Sequence, residues 1–80
     1  MDMRKLVGRN FARIRREKGL TQEDVERLSG FSQQYLSGLE SGLRNPTIGT
    51  LSELANALDV SFLDLVKPES AEGGVVISNN

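Results

Sequence analysis

Apolar residues recur at three- and four-residue intervals along most of this chain, and the stripes are interrupted at Gly19, Gly30 and Gly42. That spacing is helical. Val7, Phe11, Ile14 and the aliphatic stem of Lys18 define one stripe, so a helix is predicted over residues 4–18, ended by Gly19. Thr21 caps a second, short helix: Asp24 sits three residues on, as in a capping box, and Leu20 and Val25 form a hydrophobic staple. It ends near Ser29, and Gly30 makes the turn. Ser32 caps a third helix, whose staple is Phe31 with Leu36. Leu36 and Leu39, with Tyr35 at the margin, form its buried face.

Arg44-Asn45-Pro46 is a turn into a fourth helix capped by Thr47, with Ile48, Leu51, Leu54, Ala55 and Leu58 along one side. Ser61 and Asp64 cap a short fifth helix carrying Phe62, Leu65 and Val66, stopped by Pro68. The pattern predicts an all-α fold of five helices over residues 4–67, with Phe11, Leu36, Leu39, Leu51, Leu54 and Leu58 in the core. Residues 68–80 change character and form a short C-terminal tail. The tail is either a frayed end or a short strand over 75–77 laid against a partner subunit.

Composition narrows the chemistry. The 80 residues are expected to form one domain with a small core. Cysteine and histidine are both absent. Disulfides, thiolate metal sites and the commonest general base are therefore excluded, and no catalytic residues, metal or cofactor are expected. No apolar run approaches the roughly 18 residues of a membrane span, and no secretory leader is visible, so a soluble cytoplasmic protein is expected.

The net charge is −1, but the charge is polarised. Residues 4–18 hold Arg4, Lys5, Arg9, Arg13, Arg15, Arg16 and Lys18 against Glu17 alone, seven minus one, or +6. Acids such as Glu23, Asp24, Glu26, Glu53, Asp59 and Asp64 lie beyond it. Lys5, Arg9, Arg13 and Arg16 fall opposite the apolar stripe, whereas Arg15 borders it.

The third helix is unusual on its outer face. Gln34, Ser37, Gly38 and Ser41 make it polar, small and uncharged, where a solvated face ordinarily carries Lys and Glu. A surface that must approach another closely has this composition. Two short helices about a glycine turn, over roughly residues 22–41, have the layout of a helix-turn-helix.

The motifs L-T-Q-E-D-V, G-F-S-Q-Q-Y-L-S-G-L-E-S-G-L-R-N-P-T and L-x-x-L-A-x-A-L-x-V, in register over about residues 6–66, resemble the lambda-repressor/Cro-like helix-turn-helix family, also called the XRE family. The segment Y-L-S-G-L-E-S-G-L-R-N-P is similar to compact single-domain regulators, including restriction-modification controller proteins. The resemblance implies a transcriptional regulator, a repressor by type, that reads a pseudo-palindromic operator in double-stranded DNA as a homodimer. It implies no small-molecule ligand and no membrane.

Gln33 and Gln34 are the base-reading candidates, because a glutamine amide can donate to and accept from adenine together. Ser37 faces the same way and is a base or phosphate contact. Gly38 is expected to let the helix backbone approach DNA closely. Gln22 is a phosphate candidate by resemblance, aided by the free N–H groups of its helix start. Ser32, Tyr35, Arg44 and Asn45 are further phosphate candidates. Arg15 and Glu40 match positions that ion-pair in the family, a structural link between the first and third helices.

Glu26 departs from the pattern, which usually has alanine there. Burying it without a partner would be costly, so it is expected to open the helix pair or to reach solvent or an arginine. Dimerisation is expected through Leu63, Val66 and neighbours, with the tail as a second element. The alternative function is a protein-interaction module, or an antitoxin-like regulator, built on the same fold.

Overall fold

The computed structural model describes residues 2–68. Five helices follow one another: α1 (Met3–Glu17), α2 (Gln22–Ser29), α3 (Gln33–Glu40), α4 (Ile48–Leu58) and α5 (Phe62–Val66). No strand occurs among the described residues. The strand predicted over 75–77 lies outside them.

Local chemistry sets the helix starts. The Thr21 hydroxyl accepts from the Asp24 N–H at 3.0 Å, and the Asp24 carboxylate accepts from the Thr21 N–H at 2.8 Å. The same reciprocal box joins Ser61 and Asp64 at α5. Ser32 accepts from the Tyr35 N–H and Thr47 from the Thr50 N–H, so α3 and α4 each begin on a local hydroxyl cap without a reciprocal box. Gly30 closes α2 in the left-handed region at φ +86°, which turns the chain from α2 into α3.

One core joins all five helices. Phe11, Val25, Leu36, Leu39, Leu54 and Leu65 are fully buried in it, with Val7, Ile14, Leu51, Ala55 and Leu58 around them. Two expectations are corrected at helix ends. Lys18 is exposed at the α1 C-cap, so its stem does not extend the buried stripe. Ile48 is 73% exposed, because it opens α4 beyond the edge of the core. Periodicity assigns a residue to a face; whether that face has a neighbour at the helix end is decided elsewhere.

Two polar features fix α1 against the rest. Asn10 is fully buried and donates through its amide to the carbonyls of Leu65 at 2.9 Å and Lys67 at 2.8 Å. Its carbonyl accepts from Arg13 at 3.1 Å. It thereby satisfies carbonyls at the end of α5, where the helix itself leaves them without an intrahelical partner. Gly8 lies against the end of α3, where a Cβ would overlap the Leu39 carbonyl oxygen and come within 3.0 Å of that of Glu40. Only glycine lets the two backbones meet there.

Candidate nucleic-acid interface

The candidate surface is the outer face of α3, and its position is set from behind. Leu36 and Leu39 anchor the helix in the core with no exposure. The Arg15 guanidinium grips Glu40 with two bonds, Nε to Oε2 at 2.6 Å and Nη2 to Oε1 at 3.0 Å. Its remaining Nη1 donates to the Leu20 carbonyl at 2.8 Å. Gln22 donates from its side-chain amide to Glu40 Oε1 at 3.1 Å. α1 and α2 thus both bond one carboxylate of α3, and the same arginine ties in the Leu20 carbonyl. The two ionic side chains are only 11% and 9% exposed, so they are nearly withdrawn from water. The Glu40 hydrogen bond outweighs burial and raises the Arg15 pKa further, holding the guanidinium charged.

The face itself is open. Gln33, Gln34, Ser37 and Ser41 are exposed along one side of α3. Ser32, also exposed, spends its hydroxyl as an acceptor for the Tyr35 N–H. Tyr35 is half-buried and stacks on Phe31 with ring centroids 5.4 Å apart. Arg44 lies over the Tyr35 ring, its guanidinium carbon 5.4 Å from the ring centre. Asn45 is exposed beside it. The structure therefore groups Gln33, Gln34, Ser37, Tyr35, Arg44 and Asn45 around one end and side of α3. It draws Gln22 toward Glu40, leaving one amide hydrogen of that side chain for another acceptor.

Gly38 makes room for a side chain of the fold itself. A Cβ at this position would stand 2.9 Å from Arg44 Nε and 3.4 Å from its Cγ. The space above Gly38 is filled by the arginine of the following loop, which glycine allows to lie flat along the helix.

Glu26 also has a definite role. It is exposed, and its carboxylate accepts from the Gln33 backbone N–H at 3.1 Å. Of the alternatives expected, reaching solvent is the one the structure realises. A carboxylate at a helix start satisfies an orphan donor and complements the positive end of the helix. Glu26 thus caps α3 together with Ser32. An acidic residue seven positions before a helix start carries no local capping signature, so this partner was not legible in the sequence.

Residues 11–65 match the helix-turn-helix family HTH_3, and the chain belongs to that family. It is a transcriptional regulator with a helix-turn-helix DNA-binding fold. The chain is 75% identical over 68 residues to the uncharacterized HTH-type transcriptional regulator y4dJ of Sinorhizobium fredii, covering 85% of this chain and 88% of that protein. A hypothetical transcription factor from Neisseria has a solved structure that superposes with a TM-score of 0.83 at 28% identity, over 89% of this chain and 82% of that one. The restriction-modification controller protein C.Esp1396I, solved as a tetramer with its natural 35 base-pair operator, gives 0.74 at 33% identity, over 84% and 99% of the two chains. Among the described residues, no group of His, Cys, Asp and Glu could hold a metal ion, and no helix is long and apolar enough to cross a membrane.

Proposed function

We propose that this chain represses or activates transcription by binding a specific double-stranded DNA site through α3. The observation that carries the proposal is the contrast on that helix: an exposed, uncharged polar face of Gln33, Gln34, Ser37 and Ser41 on a backbone bolted from behind through Glu40. Side chains free to select hydrogen bonds on a fixed frame are what major-groove reading requires. Gln33 and Gln34 read base edges, and Ser37 touches a base or a phosphate. Gln22, Ser32, Tyr35, Arg44 and Asn45 contact phosphates and set register without reading sequence. Arg44 stacked on Tyr35 is a charge held in position rather than a free arm.

The functional unit is a homodimer on a pseudo-palindrome, each protomer reading a half-site about 34 Å from the other. Leu63, 66% exposed on α5, and the neighbouring Val66 support an interface at that end of the fold. The site of action is the cytoplasm, at the nucleoid when bound to DNA. The operator-bound controller protein supports the same architecture by similarity.

Selection from a randomised duplex pool, followed by affinity against salt on the winner, tests the reading. A two-fold-symmetric motif with a steep salt slope is expected. No enrichment by a folded sample at low salt would overturn it and point to a protein partner. Sedimentation showing a monomer at high micromolar concentration, with and without DNA, would remove the dimer.

A further inference from the structure

The arginines opposite the apolar stripe of α1 have no part in the DNA contacts assigned above. The fold gives three of them a shared position. Arg9, Arg13 and Arg16 line a groove of about 390 Å³ whose other walls are Gln22 of α2 and Ser37, Glu40 and Ser41 of α3. Ser37 and Ser41 belong at once to this groove and to the exposed face of α3, so the groove opens directly onto that face. Among the described residues, the one acid lining it, Glu40, is already paired with Arg15. The groove therefore presents net positive charge.

Its position relative to Arg44 is informative. At about 100° per helical residue, Glu40 lies about 60° to one side of Ser37, and Gly38 about 100° to the other. Arg44 rests on Gly38, and the α1 arginines stand across the groove from Glu40. Positive charge thus flanks the polar face of α3 along both edges. A major groove about 12 Å wide is bounded by two phosphate strands, one on each side of an inserted helix.

From this we infer that the α1 groove is a second phosphate-binding site, which takes the DNA backbone on the strand opposite the one held by Arg44 and Asn45. The inference rests on the DNA-binding reading above. Arg16 and Arg9 face the groove from exposed positions and supply the contacts. Arg13, held by Asn10 and 3.7 Å from Glu17, contributes field rather than reach. Gln22 offers its second amide hydrogen to the same backbone. The segment with the densest positive charge is thereby accounted for as part of the interface rather than as a solvated helix face.

The test uses the full chain, the operator selected as above, and the variants Arg16→Ala and Arg9→Ala/Arg16→Ala. Both substitutions fall on exposed helix positions, and thermal unfolding checks that the fold is kept. The slope of log K against log salt is expected to fall by about 0.9 for Arg16→Ala and by about twice that for the double variant. The order of preference among operator variants is expected to stay unchanged. Ethylating backbone phosphates at the operator edge should weaken the native chain but not the double variant. Unchanged slopes in folded variants of a chain that binds steeply would overturn the groove alone. A native chain without salt-sensitive duplex affinity would overturn the DNA reading and the groove with it.

Discussion

Behind α3, polar groups are tied to one another: Glu40 receives Arg15 and Gln22, Arg15 also holds the Leu20 carbonyl, and the Gly8 backbone is pressed against the helix end. In front, Gln33, Gln34 and Ser37 stand exposed with amides and a hydroxyl ready to exchange water for another partner. The same eight-residue helix thus carries a rigid back and an adaptable front. The difference shows how a small domain reads a surface. Backbone position is fixed in advance by buried contacts, so the ordering cost at the moment of binding falls only on a few side chains.

Breaking the back should have the largest effect. Glu40→Ala leaves the Arg15 guanidinium nearly buried without its counter-ion and is expected to destabilise the fold by about 3–5 kcal/mol, read as a lower denaturant midpoint. A loss under about 1 kcal/mol would mean that water replaces the carboxylate freely and that the back is not rigid. Gly8→Ala comes next. In an open helix this change would stabilise by about 1 kcal/mol. Here the added methyl meets the Leu39 carbonyl, and a net loss of about 2 kcal/mol is expected, with weaker DNA binding as α3 is displaced. A more stable variant would show that α1 and α3 can separate at no cost.

The front should respond in affinity instead. Gln34→Ala is expected to keep the melting temperature while costing about 1–3 kcal/mol of binding and relaxing the preference at one base pair. Equal weakening on every duplex would make Gln34 a phosphate contact. Glu26→Ala removes a cap at the boundary of the two regions and should cost about 1 kcal/mol of stability, the usual scale for a helix start. No change in unfolding would mean that water satisfies the Gln33 N–H equally well.

The smallest effect lies away from α3, in the acid limb of stability. Asp24 is held below the ordinary carboxylate range chiefly by the Thr21 backbone N–H, and Asp64 by Lys67 and then the Ser61 N–H. A depressed folded-state pKa gives stability that is present above the unfolded value, near pH 4, and is lost as pH falls through the folded value. Asp24→Asn and Asp64→Asn should therefore flatten the fall in stability below about pH 4 relative to the native chain. An unchanged acid limb would show that these exposed caps contribute nothing measurable.

Helix starts were legible because a cap and its target are three residues apart, as with Thr21 and Asp24 or Ser61 and Asp64. Most of the core was legible because burial follows helical period: Phe11, Leu36, Leu39 and Leu54 all fell where the stripe put them. Lys18 and Ile48 did not, because the stripe runs past the point at which a neighbouring helix covers it. The link of Arg15 to Glu40 was legible only through resemblance to a family, since 25 residues separate the two.

Asn10 shows the limit most clearly. Nothing in its neighbourhood along the chain distinguishes it from a solvated residue, yet it binds carbonyls 55 and 57 positions away and is wholly buried. Gly8, Gly38 and Glu26 are similar: each is defined by a group that only the packed fold brings near. The sequence alone determined the five helices, the hydroxyl caps of α2 to α5, most of their apolar faces and the uncharged character of the α3 surface, because these follow from chemistry within a few residues. The tertiary structure alone decided which polar residues bolt α3 in place, what fills the space above Gly38, and that the α1 arginines open onto the recognition face, because hydrogen bonds and close packing act through space rather than along the chain.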